Sequence, residues 1–348
     1  DQPSQSTPAP DTAHDTTSEG NRDQPNVDIS AHAFQSAYTH SKDIFAGLPA
    51  REIAIAMMIL GRNAHCQNVQ RQTHNEAAMQ GLTLNQMLNQ PDGHESAVKE
   101  IKQILDRETW HLRHANTLTS EQKRHAISCH GVGKVKRDGT KKTRLVAGGH
   151  RQDKSKYLGM TSPTSSHLTT MLHLTVAAYE KRPHLSQIDY PGAYLGIDRH
   201  KHSMPTEIMR VSGKLAELIT TVDPTYKEYI SENGSFYVEL DKSLYGLVES
   251  AALWYKELTE QLMELGYHRS LVDPCLFHAK QSTINIHVDD LLCSFADTAE
   301  RDRVHAYFRS KDCTIHEDAL DFLHMRIQHL QDGSITLDME EYISSHLK

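Results

Sequence analysis

The sequence predicts an α+β protein, on three observations. Strand-like and helix-like stretches alternate along the chain. No glycine-rich βαβ nucleotide fingerprint accompanies them, which disfavours a doubly wound sheet. Turn signals at Asp138-Gly139, Pro191-Gly192 and Asp332-Gly333 fall beside short apolar runs, as they do in hairpins and strand exits. The 348 residues, 38% of them hydrophobic, leave room for one large domain or two, and no internal repeat divides them.

The elements follow in order. Residues 1 to about 50 are rich in Asp, Ser, Thr, Pro, Gln and Asn, and 51–80 hold one apolar patch, Ile53 to Leu60. Such composition cannot bury enough surface to offset ordering entropy, so 1–81 is expected to be a disordered or weakly ordered linker and 82–348 the folded domain. Val98, Ile101 and Leu105, spaced by three and four, predict the first helix. Thr143 to Gly149 reads as a strand ending in a Gly-Gly turn, and Asp138-Gly139 before it makes this segment a β-hairpin. Ser166 is placed to cap a helix carrying Leu168, Met171, Leu172, Thr175, Val176 and Tyr179. Strands are expected at Leu185 to Asp189 and Phe236 to Leu240. Val248 to Leu265 is the most regular helix, with Ala251, Trp254, Tyr255, Leu258, Leu262 and Leu265 in one stripe and Gly266 as its stop. Cys275 to Phe277, Ile284 to Val288 and Leu291 to Phe295 read as strands and Thr298 to Ser310 as a helix, with a final hairpin around Asp332-Gly333.

Composition excludes several classes. The longest apolar run is far short of the roughly 20 residues a membrane helix needs. No charged n-region with an apolar core opens the sequence, so no signal peptide is expected. Five cysteines without a CxxC pair fit a reduced, intracellular protein. The 24 histidines are scattered without zinc-finger or zinc-knuckle spacing and read as surface or core residues, as Trp110 and Trp254 read as packing residues. A net charge of -8 argues against a simple nucleic-acid wrapper. Charge is local, however: residues 121–156 carry eleven Lys or Arg against three acids. By itself that run is a solvated hairpin or a phosphate-facing surface.

The chemistry concentrates in carboxylates. Asp289 and Asp290 lie between two apolar, β-prone runs. Neighbours on a continuous strand face opposite sides, so both reach one site only if the chain turns there. Hard oxygen ligands at a hairpin tip suit Mg²⁺, which shares its coordination with water and substrate phosphates. Asp189 ends a separate strand just before a glycine-containing turn, and two ions bridged by such acids would support in-line phosphoryl transfer. By itself an Asp-Asp pair is more often a solvated turn.

The wider context removes that ambiguity. IHVDDLLCSF (286–295) resembles the x-Asp-Asp box of reverse transcriptases in the Val-Asp-Asp form of Ty1/copia-type retrotransposon polyproteins. QIDYPGAYL (187–195), KSLYGLVESAALWY (242–255) and TRLVAGGHRQD (143–153) resemble that class's other motifs, in the right order. YHRSLVDPCLF (267–277) and DFLHMRIQHLQDGSITLDMEEYI (321–343) match the segments flanking the box. The resemblance covers about 82–348 and implies a segment of a pol polyprotein: a right-hand polymerase palm and fingers with part of the thumb side, a β-sheet backed by helices.

It also implies roles. Asp189, Asp289 and Asp290 match the three catalytic, metal-holding carboxylates, with two Mg²⁺ (or Mn²⁺) ions as cofactors and the Tyr190 carbonyl as an extra ligand. Lys142 and Arg144 match the triphosphate-gripping residues. Tyr194 matches the ring beneath the incoming sugar, which a 2′-hydroxyl would strike. Tyr245 and Gly246 match the segment beside the nascent base pair. The implied function is RNA-directed DNA polymerase, a nucleotidyltransferase. Its partners would be an RNA or DNA template with primer, deoxynucleoside triphosphates and other parts of the pol polyprotein, with no membrane. The location would be intracellular, in cytoplasmic particles or the nucleus. Departures from the pattern are His287 for the usual tyrosine, Ser250-Ala251 for Ala-Pro, His324 for a glycine, and Met204 to Tyr229 in place of a short acidic loop. They keep a second reading open, a catalytically decayed remnant that only binds nucleic acid. A metal-dependent phosphohydrolase would need spaced His ligands, which the sequence lacks.

Overall fold

The computed structural model describes residues 81–136, 139–271, 273–317 and 320–346. The linker expected over 1–81 lies, but for its last residue, outside them. The elements run β1 (Leu82–Thr83), α1 (Leu84–Leu88), α2 (Gly93–Asp106), β2 (Trp110–Arg113), α3 (Ser120–His125), β3 (Ile127–Val135) and β4 (Lys141–Ala147). Next come α4 (His167–Tyr179), β5 (His184–Asp189), β6 (Ile208–Ser212), α5 (Gly213–Val222), β7 (Ser235–Leu240) and α6 (Ser250–Glu264). The chain continues through β8 (His268–Arg269), β9 (Leu276–Ala279), β10 (Ser282–His287), β11 (Asp290–Phe295) and α7 (Thr298–Arg309). It closes with β12 (Thr314–His316), β13 (Leu320–Phe322), β14 (Met325–His329), β15 (Ile335–Asp338) and α8 (Glu340–His346). This is the expected α+β architecture.

Three sheets organise the described residues. The first has the order β1-β3-β6-β7-β2, with β4 paired to β3. All its pairings are antiparallel except β3 with β6. Ile101, Ile104, Ile127, Leu145, Met209 and Phe236 lead its buried core. The second sheet, β12-β5-β11-β10-β9-β8, is antiparallel throughout, and β13-β14-β15 form the third.

Period-two alternation divides the second sheet cleanly. Ile188, Ile284, Ile286, Leu291, Cys293 and Phe295 join a cluster with Leu253, Trp254 and Leu258 of α6 and Val304 and Phe308 of α7. The opposite face carries Leu185, Gln187, Thr283, Asn285, Leu292 and Ser294. There Leu185 and Leu292 cluster with Leu174 of α4 and with Phe322, Met325 and Ile327 of the third sheet.

The basic segment is a hairpin as expected, with β3 and β4 in register from Cys129↔Ala147 to Val135↔Lys141. The last hairpin also forms, with His329↔Ile335 beside its turn. Ser166 caps α4 by accepting from the Thr169 N–H at 3.0 Å. The buried stripe of α4 is corrected. Met171, Thr175 and Tyr179 are exposed, and the buried side chains are Thr169, Thr170, His173, Leu174, Val176 and Ala177. Hydrogen bonds, which apolar periodicity does not register, fix this face: Asn285 Nδ2 donates to Thr170 Oγ1 at 2.9 Å, and His173 Nε2 meets Ser294 Oγ at 2.9 Å.

Helix α6 begins two residues later than expected. Val248 donates its N–H to Gln152 Oε1 at 2.8 Å, and Glu249 is buried in an ion pair with Arg199, so both residues are held outside the helix. Met204 to Tyr229 is also more than a loop. It contains β6, α5 and a 3₁₀ turn, and contributes Met209, Val211, Leu215 and Ile219 to the first core.

Candidate active site

The two acids of the Asp-Asp pair sit at the second half of a tight turn. His287 and Asp290 are the closing pair of the β10–β11 hairpin, which leaves Val288 and Asp289 as its two turn residues. Val288 has φ 59°, a left-handed conformation in which a β-branched side chain is crowded. Two donors grip the turn: the Trp254 indole N–H reaches the Val288 carbonyl at 2.5 Å, and the Tyr190 N–H reaches the Asp289 carbonyl at 3.1 Å.

Asp290 stands directly across from Asp189 in the β11–β5 ladder. Directly opposed residues of an antiparallel pair have Cα atoms about 4.5–5.5 Å apart and side chains on one face. Asp189 and Asp290 therefore share a face, and Asp289 lies beside them in the turn. The electrostatics agree. Burial first, then Asp289 and Asp189, push the Asp290 carboxyl up to about 7, opposed by the Gln187 hydrogen bond and Lys142. Gln187 reaches Asp290 Oδ1 at 3.4 Å while its own oxygen accepts the Asp321 N–H of β13 at 2.9 Å.

Residues of the basic hairpin approach the same place. Desolvation and the like charges of Arg144 and Lys136 lower the Lys142 ammonium, and Asp289 and Asp189 act in the other direction. Arg144 lies over the Tyr245 ring, its Cζ 4.1 Å from the centroid. The Tyr245 ring is in turn 5.0 Å from that of Tyr194. Burial, then Asp289, raises the Tyr194 hydroxyl to about 12. Tyr190 packs edge-on against Trp254, centroids 4.6 Å apart at 69°.

Gly246 explains how two distant motifs meet. Tyr245 bridges Val146 in parallel, and its carbonyl accepts the Ala147 N–H at 2.7 Å. Gly246 has φ +90°, and a Cβ there would stand 2.3 Å from the Ala147 carbonyl oxygen. Only glycine fits that approach. Among the departures, the His287 ring lies 6.3 Å from that of Phe322, and His324 has φ 64° with its ring stacked on Tyr342 at 4.8 Å. The turn thus asks for the glycine that His324 replaces.

Among the described residues, no group of three His, Cys, Asp or Glu side chains closes on one point that could hold a metal ion, the three aspartates included. This does not conflict with a Mg²⁺ site, because Mg²⁺ takes one or two carboxylates and completes its shell with water and substrate phosphates. The donor chemistry fits: three carboxylates, one of them raised to about 7 by burial and then by its two neighbours, gather negative charge that a cation would offset. The sequence missed Trp254 and Gln187 as parts of this site. Both lie within the motifs QIDYPGAYL and KSLYGLVESAALWY, but an indole in an apolar stripe and a glutamine in a strand show no chemistry of their own that would single them out.

Comparison with known proteins places the chain. The family model described as reverse transcriptase (RNA-dependent DNA polymerase) matches residues 108–348. The transposon Ty1-BL Gag-Pol polyprotein of Saccharomyces cerevisiae (strain ATCC 204508 / S288c) is 28% identical over 218 residues, which is 61% of this chain and 11% of that protein. The truncated transposon Ty1-A Gag-Pol polyprotein of the same yeast is 26% identical over 281 residues, or 77% of this chain and 22% of that protein. The chain thus spans a fifth or less of the length of most such relatives. A foamy viral protease-reverse transcriptase solved in complex with double-stranded DNA aligns at a TM-score of 0.42 and 13% identity, over 73% of this chain and 36% of that one, too loosely to support an argument. With more than half of its residues matched by the family model, the chain belongs to the reverse transcriptase (RNA-dependent DNA polymerase) family, as a Ty1/copia-type segment.

Proposed function

We propose that this chain is an RNA-directed DNA polymerase that adds deoxynucleotides to a primer, with 82–348 as its fingers, palm and part of the thumb side. The observation that carries the reading is the β5–β11 register, which sets Asp189 opposite Asp290 with Asp289 in the adjoining turn. Asp189, Asp289 and Asp290, with the Tyr190 carbonyl, would hold two divalent ions, Mg²⁺ or Mn²⁺. When bound, these supply stabilisation of the attacking and leaving oxygens of an in-line displacement. Lys142 and Arg144 grip the triphosphate from β4, and Tyr245 keeps Arg144 in place through its ring face. Gly246 leaves room for the nascent pair. Tyr194 stands beneath the sugar and excludes a 2′-hydroxyl.

The partners in this reading are a primed RNA or DNA template, deoxynucleoside triphosphates and other parts of the pol polyprotein. The basic hairpin β3–β4 would meet the template phosphates. An intracellular place, in cytoplasmic particles or the nucleus, rests on family resemblance. No helix among the described residues is long and apolar enough to cross a membrane. The test is primer extension on an RNA template with and without Mg²⁺. Metal-dependent extension is expected. Binding of primer-template without any extension would establish the decayed remnant instead, which the strained His324 turn favours.

A further inference from the structure

We infer that Trp254 is a positioning residue for the carboxylate turn, locking the spacing between the chain ends that carry Asp189 and Asp289. Val288 occupies a conformation its branched side chain resists, so the turn needs an external restraint to keep one shape. Trp254 supplies it from the second turn of α6. Its ring is 2% exposed, and its N–H donates to the Val288 carbonyl at 2.5 Å. A buried indole N–H without a partner is costly, so this bond fixes ring and carbonyl together.

The same ring abuts the other carboxylate segment. It meets Tyr190 edge-on at 4.6 Å, and the Tyr190 N–H donates to the Asp289 carbonyl at 3.1 Å. One side chain therefore touches the residue after Asp189 and the residue before Asp289. On the polymerase reading above, this spacing governs the rate, since reacting groups displaced by about 1 Å can lose 10²-fold. The contacts that link Trp254 to the site are with Val288 and Tyr190, so it acts on the carboxylates through them.

The test compares the full chain with Trp254→Phe, which keeps a ring against Tyr190 and deletes only the donor. Two measurements are made: amide hydrogen exchange without substrate, and steady-state primer extension. Exchange is expected to rise about tenfold or more at Val288 to Asp290 and to stay unchanged in the rest of β10 and β11. In extension, kcat is expected to fall about tenfold with KM for the nucleotide within twofold. Val288→Gly, which adopts positive φ freely, should shrink the loss caused by Trp254→Phe. Exchange that is unchanged, or that rises across the whole sheet, overturns the inference and leaves Trp254 a packing residue; an undiminished kcat does the same. If the wild-type chain extends no primer, the polymerase reading fails, and the exchange pattern alone still decides whether Trp254 holds the turn.

Discussion

The second sheet is covered on its two faces by helices that hold it in different ways. Against one face, α6 and α7 press Leu253, Leu258, Val304 and Phe308 onto Ile188, Leu291 and Phe295, with the Ser186–His305 hydrogen bond as a polar exception. Against the other, α4 is fastened by directional contacts. Thr170 meets Asn285, His173 meets Ser294, and Arg182 at the strand entry donates to Thr283 and Ser294 at 2.7 and 2.9 Å. Asp189 and Asp290 lie on this hydrogen-bonded face by alternation. Contacts of the first kind contribute stability in proportion to area and tolerate small shifts; contacts of the second kind fail unless register is kept. The carboxylates thus emerge from the face where register is policed most closely.

The largest expected effect separates the faces by function. Asp189→Asn and Asp290→Asn should each lower metal-dependent primer extension by about 10³-fold or more, about 4 kcal/mol in the barrier. Folding stability should stay level or rise, because removing one of three clustered carboxylates relieves their repulsion. Extension rates and denaturant midpoints of the same preparations check both. Retention of activity within a few-fold would remove these residues from the site.

The next effect is on folding. Leu258→Ala on the apolar face should destabilise by about 2–5 kcal/mol, the usual cost of a buried leucine and its cavity. Thr170→Val on the opposite face should cost about 1–3 kcal/mol by leaving the Asn285 amide without its acceptor. Chemical unfolding of both variants gives the comparison. A larger loss for Thr170→Val would reverse the ranking of the two faces.

The same contrast explains what could be read from sequence. Helix α6 announces itself because Leu253, Trp254, Leu258 and Leu262 are apolar and buried, so period and burial coincide. Helix α4 buries Thr169, Thr170 and His173 and exposes Met171 and Tyr179, so apolar period points to the wrong face. The carboxylate turn was legible because Asp-Asp between two β-prone runs demands a bend. That its restraint is Trp254 was not, since a hydrogen bond across 34 residues leaves no local trace. In the β6–α5 insertion, β6 is buried on both faces and shows no alternation, whereas α5 does carry a helical pattern, Leu215, Ala216, Leu218 and Ile219 buried against exposed Lys214 and Glu217, that could have found it.

Acid titration sharpens the comparison within the polar face, where two groups pull in opposite directions. Burial, reinforced by Arg182, lowers His173 to about 3, below its unfolded value of about 6.5. Below pH 6.5 the unfolded chain takes up a proton that the folded chain refuses, so this group's stabilisation is complete above 6.5 and declines toward pH 3. The decline is about 2 kcal/mol between pH 6.5 and pH 5. Asp290, raised to about 7, does the reverse: its cost to the folded state is present above pH 7 and is relieved as pH falls toward 4. In unfolding curves from pH 8 to 4.5, His173→Gln should remove the acid loss, and Asp290→Asn should raise stability at pH 8. Identical pH profiles for wild type and His173→Gln would show that the buried imidazole is not the titrating group.

The smallest effect lies where the two faces meet. Tyr194 packs against the apolar cluster of α6 and α7, yet its ring touches Tyr245 and its hydroxyl feels Asp289. As a core residue it would support only the fold; as a wall beneath the sugar it would also choose the substrate. A planar ring in that place excludes a 2′-hydroxyl by contact and does not attract the deoxyribose, so shrinking it should admit ribonucleotides with little loss for deoxynucleotides. Tyr194→Val is expected to raise the relative efficiency of ribonucleotide incorporation by about 10-fold, about 1.4 kcal/mol between the competing barriers. The measurement is kcat/KM for a matched ribo- and deoxynucleotide on one primer-template, in wild type and variant, with unfolding midpoints taken alongside. A lowered midpoint with an unchanged ratio would assign Tyr194 to the apolar face alone. A changed ratio with a near-constant midpoint would extend the site across the edge of the sheet into that core.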